Sequence, residues 1–153
     1  MVTTSASAKS GSLVTSFASA AAAKLVTKEA LFAEADVVTI HLVLSDRTRG
    51  LVGAPELGRM KPTAYLVNTS RGPIVDETAL VHALGNGTIA GAGLDVFDEE
   101  PLPPDHPLRH LSNTVITPHL GYVTEETYRL FYAQAVEDIV AFLAGQPIRV
   151  LRS

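Results

Sequence analysis

Beyond residue 28 the apolar positions switch repeatedly between helical and strand spacing. Lys28 to Ala35 places Leu31 and Phe32 side by side in a run of good helix formers, which predicts a short helix. Asp36 to Leu44 is a nearly unbroken β-branched apolar run and predicts a buried strand. Arg49 to Lys61 reads as a loop with a short helix, and Pro62 separates it from a second strand at Thr63 to Asn68. Asp76 is a natural N-cap for a helix through Leu84, which the Gly85, Asn86, Gly87 triplet stops. Ile89 to Val96 predicts a third strand whose glycines suit close packing, and Thr114 to Thr117 a fourth, ended by Pro118. Between these two, Pro101, Pro103, Pro104 and Pro107 stiffen a loop. Thr124 then caps a long helix with Tyr128, Phe131, Ala135, Ile139 and Phe142 at helical spacing, closed by Gly145 and Pro147.

Strands alternating with helices imply an α/β fold, with a parallel sheet and helices on its faces. In such sheets ligands bind where the C-terminal ends of strands meet the loops. Three strand ends carry chemistry. The second leads into Arg71, the third into Asp95, Glu99 and Glu100, and the fourth into His119. If the strands are parallel, an arginine, a carboxylate and a histidine open onto one edge. A histidine moves protons near neutral pH, and a carboxylate beside it orients the ring. An arginine grips a substrate carboxylate bidentately and polarises a neighbouring carbonyl. Together these groups suit interconversion of a 2-oxo acid and a 2-hydroxy acid, with hydride from a cofactor.

Singly, each residue has a plainer reading. Arg71 can be a solvated cation, Glu99 and Glu100 ordinary loop acids, and Asp95 a turn cap. His119 can simply satisfy backbone carbonyls. Asp76 reads as a cap only, and His41, His82, His106 and His110 as structural or surface residues. The weight lies in the combination.

Composition narrows the setting. The chain has 153 residues, 46% apolar and 18% charged, with net charge −4. That suits one globular domain and offers no electrostatic footprint for nucleic acid or an anionic membrane. With no cysteine there is no disulfide framework, zinc–thiolate site or cysteine nucleophile, and no metal site is expected. A cytoplasmic location fits. Residues 1–28, rich in Ser, Ala and Thr, are expected to form a low-complexity, poorly ordered leader. Residues 29–122 then form the sheet domain, and 123–153 the long helix and tail.

Three segments carry a family resemblance: Val67 to Asp76, Gly93 to Pro103 and Thr117 to Gly121. In order and spacing they resemble successive signatures of the D-isomer-specific 2-hydroxyacid dehydrogenases, from about Lys24 to the C-terminus. The resemblance implies that Arg71 binds the substrate carboxylate and carbonyl, and that His119 is the acid/base, paired with Glu100 before Pro101. It implies contacts to the nicotinamide side of NAD from Asp95 and the backbone near Thr69 and Ser70, with Arg71, His119 and Gly121 beside them. Leu42, Val43 and Ser45 would border the adenosine side. Val43 stands where family members often have proline. Relatives such as formate dehydrogenases carry glutamine in place of the glutamate, so Glu100 favours hydroxyacid chemistry.

The family's phosphate-binding Gly-x-Gly-x-x-Gly turn, and the ribose-binding acid about twenty residues after it, have no match here. Gly91 and Gly93 come nearest, but Val96 occupies the third glycine position. The expected fold is therefore a partial Rossmann-like sheet lacking its first glycine-rich βαβ unit. The expected activity is that of a truncated chain, weak or absent alone, with NADP not excluded as the cofactor. An NAD(H)-responsive regulatory module or an inactive remnant of the family are the competing readings. The long helix, without its usual cover, is expected to drive self-association.

Overall fold

The structure, a computed structural model, describes residues 23–151. Residues 1–22 of the expected leader lie outside the described residues. The chain divides into two compact units, Met1–His119 and Leu120–Ser153.

In the first unit, the Thr27 hydroxyl accepts the Ala30 N–H at 3.2 Å and opens α1 (Lys28–Glu34), which buries Leu31 and Phe32. There follow β1 (Val37–Ile40), α2 (Ala54–Leu57), β2 (Tyr65–Asn68), α3 (Glu77–Gly85), β3 (Gly91–Leu94) and β4 (Thr114–Ile116). Asp76 caps α3, its carboxylate accepting the Ala79 N–H at 2.9 Å. The four strands form one parallel sheet in the order β1-β2-β3-β4.

Register explains the two faces. Val38, Leu66, Ala92 and Thr114 lie in one row, and Ile40, Asn68, Leu94 and Ile116 in another. Val38, Leu66, Ala92, Ile40 and Leu94 of these rows join Leu31, Phe32, Leu57, Leu80 and Leu84 of the helices in one apolar core, with Ile116 packed against it. Burying a side chain of this kind contributes roughly 1.5–3 kcal/mol. The opposite face remains exposed at Val37, Tyr65 and Val115. The described helices of this unit, α1 to α3, therefore pack on the side of the sheet that carries these rows.

The strands are shorter than their apolar runs. Leu42 and Leu44 continue the run after β1, yet they pack on the core from a loop. Hydrophobicity marks burial, whereas strand pairing also needs a neighbour to receive each N–H. Ladder bonds continue past the C-terminal ends of the named strands, from the Asp95 N–H to the Asn68 carbonyl at 3.0 Å and from the Thr117 N–H to the Leu94 carbonyl at 2.9 Å. The expected glycine packing is present in β3. A Cβ on Gly91 would lie 2.7 Å from the Asn113 carbonyl oxygen.

The second unit is built on α4 (Glu125–Leu143), which starts where the Thr124 hydroxyl accepts the Thr127 N–H at 3.1 Å. Glu125 pairs with Arg129 one turn on, and Arg149 pairs with Glu137 and Asp138. Gly145, at φ +72°, ends the helix. None of the α4 side chains is buried. Among the described residues, no helix is long and apolar enough to cross a membrane.

Candidate active site

The turn after β2 is built around Asn68, which is only 1% exposed. Its Oδ1 accepts the Ser70 N–H at 3.1 Å, and its Nδ2 donates to the Arg71 carbonyl at 2.9 Å. The Ser70 hydroxyl donates to the Ile40 carbonyl at 2.6 Å and ties the turn to the end of β1. This double anchoring fixes the backbone of an otherwise exposed loop. Arg71 emerges from it into solvent, with its guanidinium donating to the Ser70 carbonyl at 2.6 Å.

Beyond β3 the chain presents Asp95, 5% exposed, whose carboxylate accepts the Thr117 hydroxyl from the end of β4. The loop then curls back on itself. Glu100 Oε1 accepts the Phe97 N–H at 3.0 Å, and Glu100 Oε2 lies 2.7 Å from His119 Nδ1. Burial pushes the Glu100 carboxyl pKa up. Hydrogen bonds from His119 and the Phe97 N–H, with the positive charges of His119 and Arg71, outweigh that and hold it below the ordinary glutamate value. An ionised Glu100 accepts from Nδ1–H, which leaves Nε2 as the nitrogen that exchanges a proton.

His119 sits at φ +59°. Left-handed backbone costs a non-glycine residue roughly 1–2 kcal/mol. Such strain concentrates where a side chain must be aimed.

An open cavity of about 580 Å³ borders this pair, lined by Phe97, Glu100, Leu102, Arg109, Ile116 and His119 among others. A cavity of this size has room for a small organic molecule together with part of a larger ligand. Arg71 is not on the cavity wall, although its charge acts on Glu100. The sheet thus brings three strand ends to one edge, with Glu100 and His119 in direct contact.

The remaining candidates are spread out. Leu42 is partly buried and packs against the core. Val43 is 85% exposed. The Ser45 N–H is taken by the Thr48 hydroxyl at 2.8 Å in a turn. Thr69 is exposed, and Gly121 belongs to the second unit.

Sequence reasoning passed over two supports of the Glu100 loop. Arg109 donates to the carbonyls of Pro103 and Leu102 at 2.8 and 2.6 Å, and Glu77 bonds to both Asp98 and His106. Only the run of prolines, which leaves carbonyls without neighbouring N–H groups, hinted that a cation would be wanted there.

Comparison with known proteins gives the family and the fold. A family model described as D-isomer specific 2-hydroxyacid dehydrogenase, NAD binding domain, matches residues 5–121. A glyoxylate reductase of Aeropyrum pernix is 54% identical over 108 residues, 71% of this chain and 32% of that protein. A glyoxylate/hydroxypyruvate reductase B of Pectobacterium carotovorum is 50% identical over 107 residues, 70% of this chain and 33% of its own length. The chain therefore spans about a third of the length of these relatives. Among solved structures, a putative D-3-phosphoglycerate dehydrogenase from Ralstonia solanacearum superposes with a TM-score of 0.83 at 38% identity. That match covers 91% of this chain and 41% of the other. A D-lactate dehydrogenase with NAD+ from Lactobacillus jensenii gives a TM-score of 0.73 at 29% identity, over 86% of this chain and 43% of its own. By the family match and by the parallel sheet that carries it, this chain belongs to the D-isomer-specific 2-hydroxyacid dehydrogenases and contains sequence of their NAD-binding domain.

Proposed function

We propose that this chain carries the acid–base and carboxylate-binding groups of an NAD-dependent reductase that converts a small 2-oxo acid into its D-2-hydroxy acid, in the cytoplasm. The observation that carries the reading is the 2.7 Å contact between His119 Nδ1 and Glu100 Oε2 on the wall of an open cavity. The relatives named glyoxylate reductase and glyoxylate/hydroxypyruvate reductase support a substrate of two or three carbons.

The donor set fits the nicotinamide side of NAD. Asp95 is a buried carboxylate acceptor at the end of β3, and the backbone at Thr69 and Ser70 borders the end of β2. Leu42, Val43 and Ser45 would flank the adenosine side, and Arg71 and His119 would line the nicotinamide end. When bound, reduced NAD supplies the hydride.

The chain's own residues do the rest. Arg71 pairs with the substrate carboxylate and draws electron density from the carbonyl oxygen. His119 Nε2 gives its proton to that oxygen as it becomes a hydroxyl, and takes one back in the reverse direction. Glu100 holds the ring through Nδ1 and stabilises its charged form. The balance is one 2-oxo acid, one hydride and one proton giving one 2-hydroxy acid.

Titration with oxamate, a 2-oxo acid analogue that is not reduced, tests the reading by NMR. The Arg71 and His119 side-chain signals should shift in the parent, and Arg71→Ala should abolish the effect. No shift, or an equal shift in Arg71→Ala, refutes it.

We further propose that α4 pairs with α4 of a second copy. Support comes from Tyr128, Phe131, Ile139 and Phe142, exposed at 44%, 54%, 59% and 72% on a 19-residue helix. Sedimentation should give a dimer that Phe131→Glu dissociates. A monomeric parent at high micromolar concentration removes the idea.

A further inference from the structure

The loop that carries Glu100 is held at both ends by one carboxylate outside the cavity. Glu77, the first residue of α3, accepts the Asp98 N–H at 3.3 Å on Oε2. Its Oε1 lies 3.0 Å from His106 Nε2. The tautomer follows from the other ring nitrogen. His106 Nδ1 accepts the Leu108 N–H at 3.3 Å, so the ring proton sits on Nε2 and is donated to Glu77. Both side chains are largely enclosed, at 22% and 19% exposure, where a hydrogen bond to a carboxylate is stronger than at a free surface.

A glutamate in the first turn of a helix ordinarily serves only the helix dipole. Here Asp76 already caps α3. Glu77 instead reaches across to residues 98 and 106, and Glu100 lies between those anchors. The connection to the reacting pair is short. The Asp98 N–H that Glu77 accepts adjoins Phe97, whose own N–H holds Glu100 Oε1, and Glu100 Oε2 meets His119.

We propose that Glu77 is a positioning residue: by fixing both ends of the loop from Asp98 to His106, it sets where the Glu100 carboxylate meets His119. The assignment of a role to the Glu100–His119 pair rests on the function proposed above. The geometry of the clamp does not.

The test follows the Glu100 carboxyl by carbon-detected NMR in the full chain, well below the melting temperature. Burial raises the Glu100 pKa, and the His119 and Phe97 hydrogen bonds are the largest influences that lower it, so its titration midpoint reports whether they are in place. Glu77→Ala should move that midpoint upward. Glu77→Gln, which keeps an oxygen for Asp98 but presents an amide to His106, should fall between. An unmoved midpoint in folded Glu77→Ala overturns the proposal. If that variant does not fold, Glu77→Gln and His106→Phe decide by the same criterion. Oxamate binding separates the two readings. A shifted Glu100 with no oxamate binding in the parent keeps the clamp and removes the proposed function. Oxamate binding with an unmoved Glu100 does the reverse.

Discussion

Gly72→Ala adds a single methyl group at the most crowded point of the site. Gly72 opens the 3₁₀ turn after β2 and is buried. A Cβ there would lie 2.1 Å from both the carbonyl carbon and oxygen of Phe97, and 2.6 Å from the Asp98 nitrogen. Ordinary contacts between such atoms begin near 3.5 Å, so one backbone segment must retreat by more than ~1 Å. Neither segment moves freely. On one side, Asn68 Nδ2 holds the Arg71 carbonyl at 2.9 Å, and Gly50 N–H holds the Pro73 carbonyl at 2.8 Å. On the other, the Phe97 N–H holds Glu100 and the Asp98 N–H is held by Glu77. Overpacking of this kind costs about 1–3 kcal/mol. One displaced hydrogen bond adds roughly 1 kcal/mol. The expected loss is therefore about 2–4 kcal/mol, read from urea midpoints at unchanged slope. Where Phe97 is the segment displaced, its N–H loses its hold on Glu100, and the Glu100 carboxyl should then titrate higher in the variant. A destabilisation below about 0.5 kcal/mol, in the range of ordinary surface changes, with an unmoved Glu100 midpoint refutes the reasoning.

Two further predictions rest on local geometry. Burial raises the Glu56 carboxyl pKa, but the Lys28 ammonium at 2.8 Å and the Gly53 N–H at 3.0 Å pull it below the usual value. A depressed folded pKa gives stability that is present above the unfolded value, about 4.3, and is lost as pH falls through the folded one. Lys28 is partly solvated, so the pair contributes about 1 kcal/mol at most; Glu56→Gln should flatten the acid limb of a stability–pH curve, and an unchanged limb contradicts the assignment. At His119, φ +59° penalises any side chain with a Cβ, so His119→Gly should be more stable than His119→Ala by about 1 kcal/mol in chemical denaturation. Equal or reversed stabilities would remove backbone strain from the account of the site.

Much of this protein is written locally. Asp76 and Thr124 each cap the helix they were expected to open, and Thr27 caps the first helix in the same way, because a side-chain oxygen three residues ahead of a free N–H needs no tertiary help. The four strands, their parallel direction and the placing of Arg71, Glu100 and His119 at strand ends also followed from alternation and motif order. Strand lengths did not. Leu42 and Leu44 are as apolar as Val38 and Ile40, yet they pack from a loop, since pairing depends on a neighbouring strand. The sequence shows an acid before Pro101 and a histidine after Pro118, but not a 2.7 Å contact between them. That contact depends on how residues 95–106 curl back. The curl is fixed by the approach of Gly72 to Phe97 and by bonds from Glu77 and Arg109, which lie up to 29 residues from their partners. Short-range caps and periodicity act within a turn or two and can be read along the chain. The meeting of two loops across a sheet is a property of packing, and only the folded structure decides it.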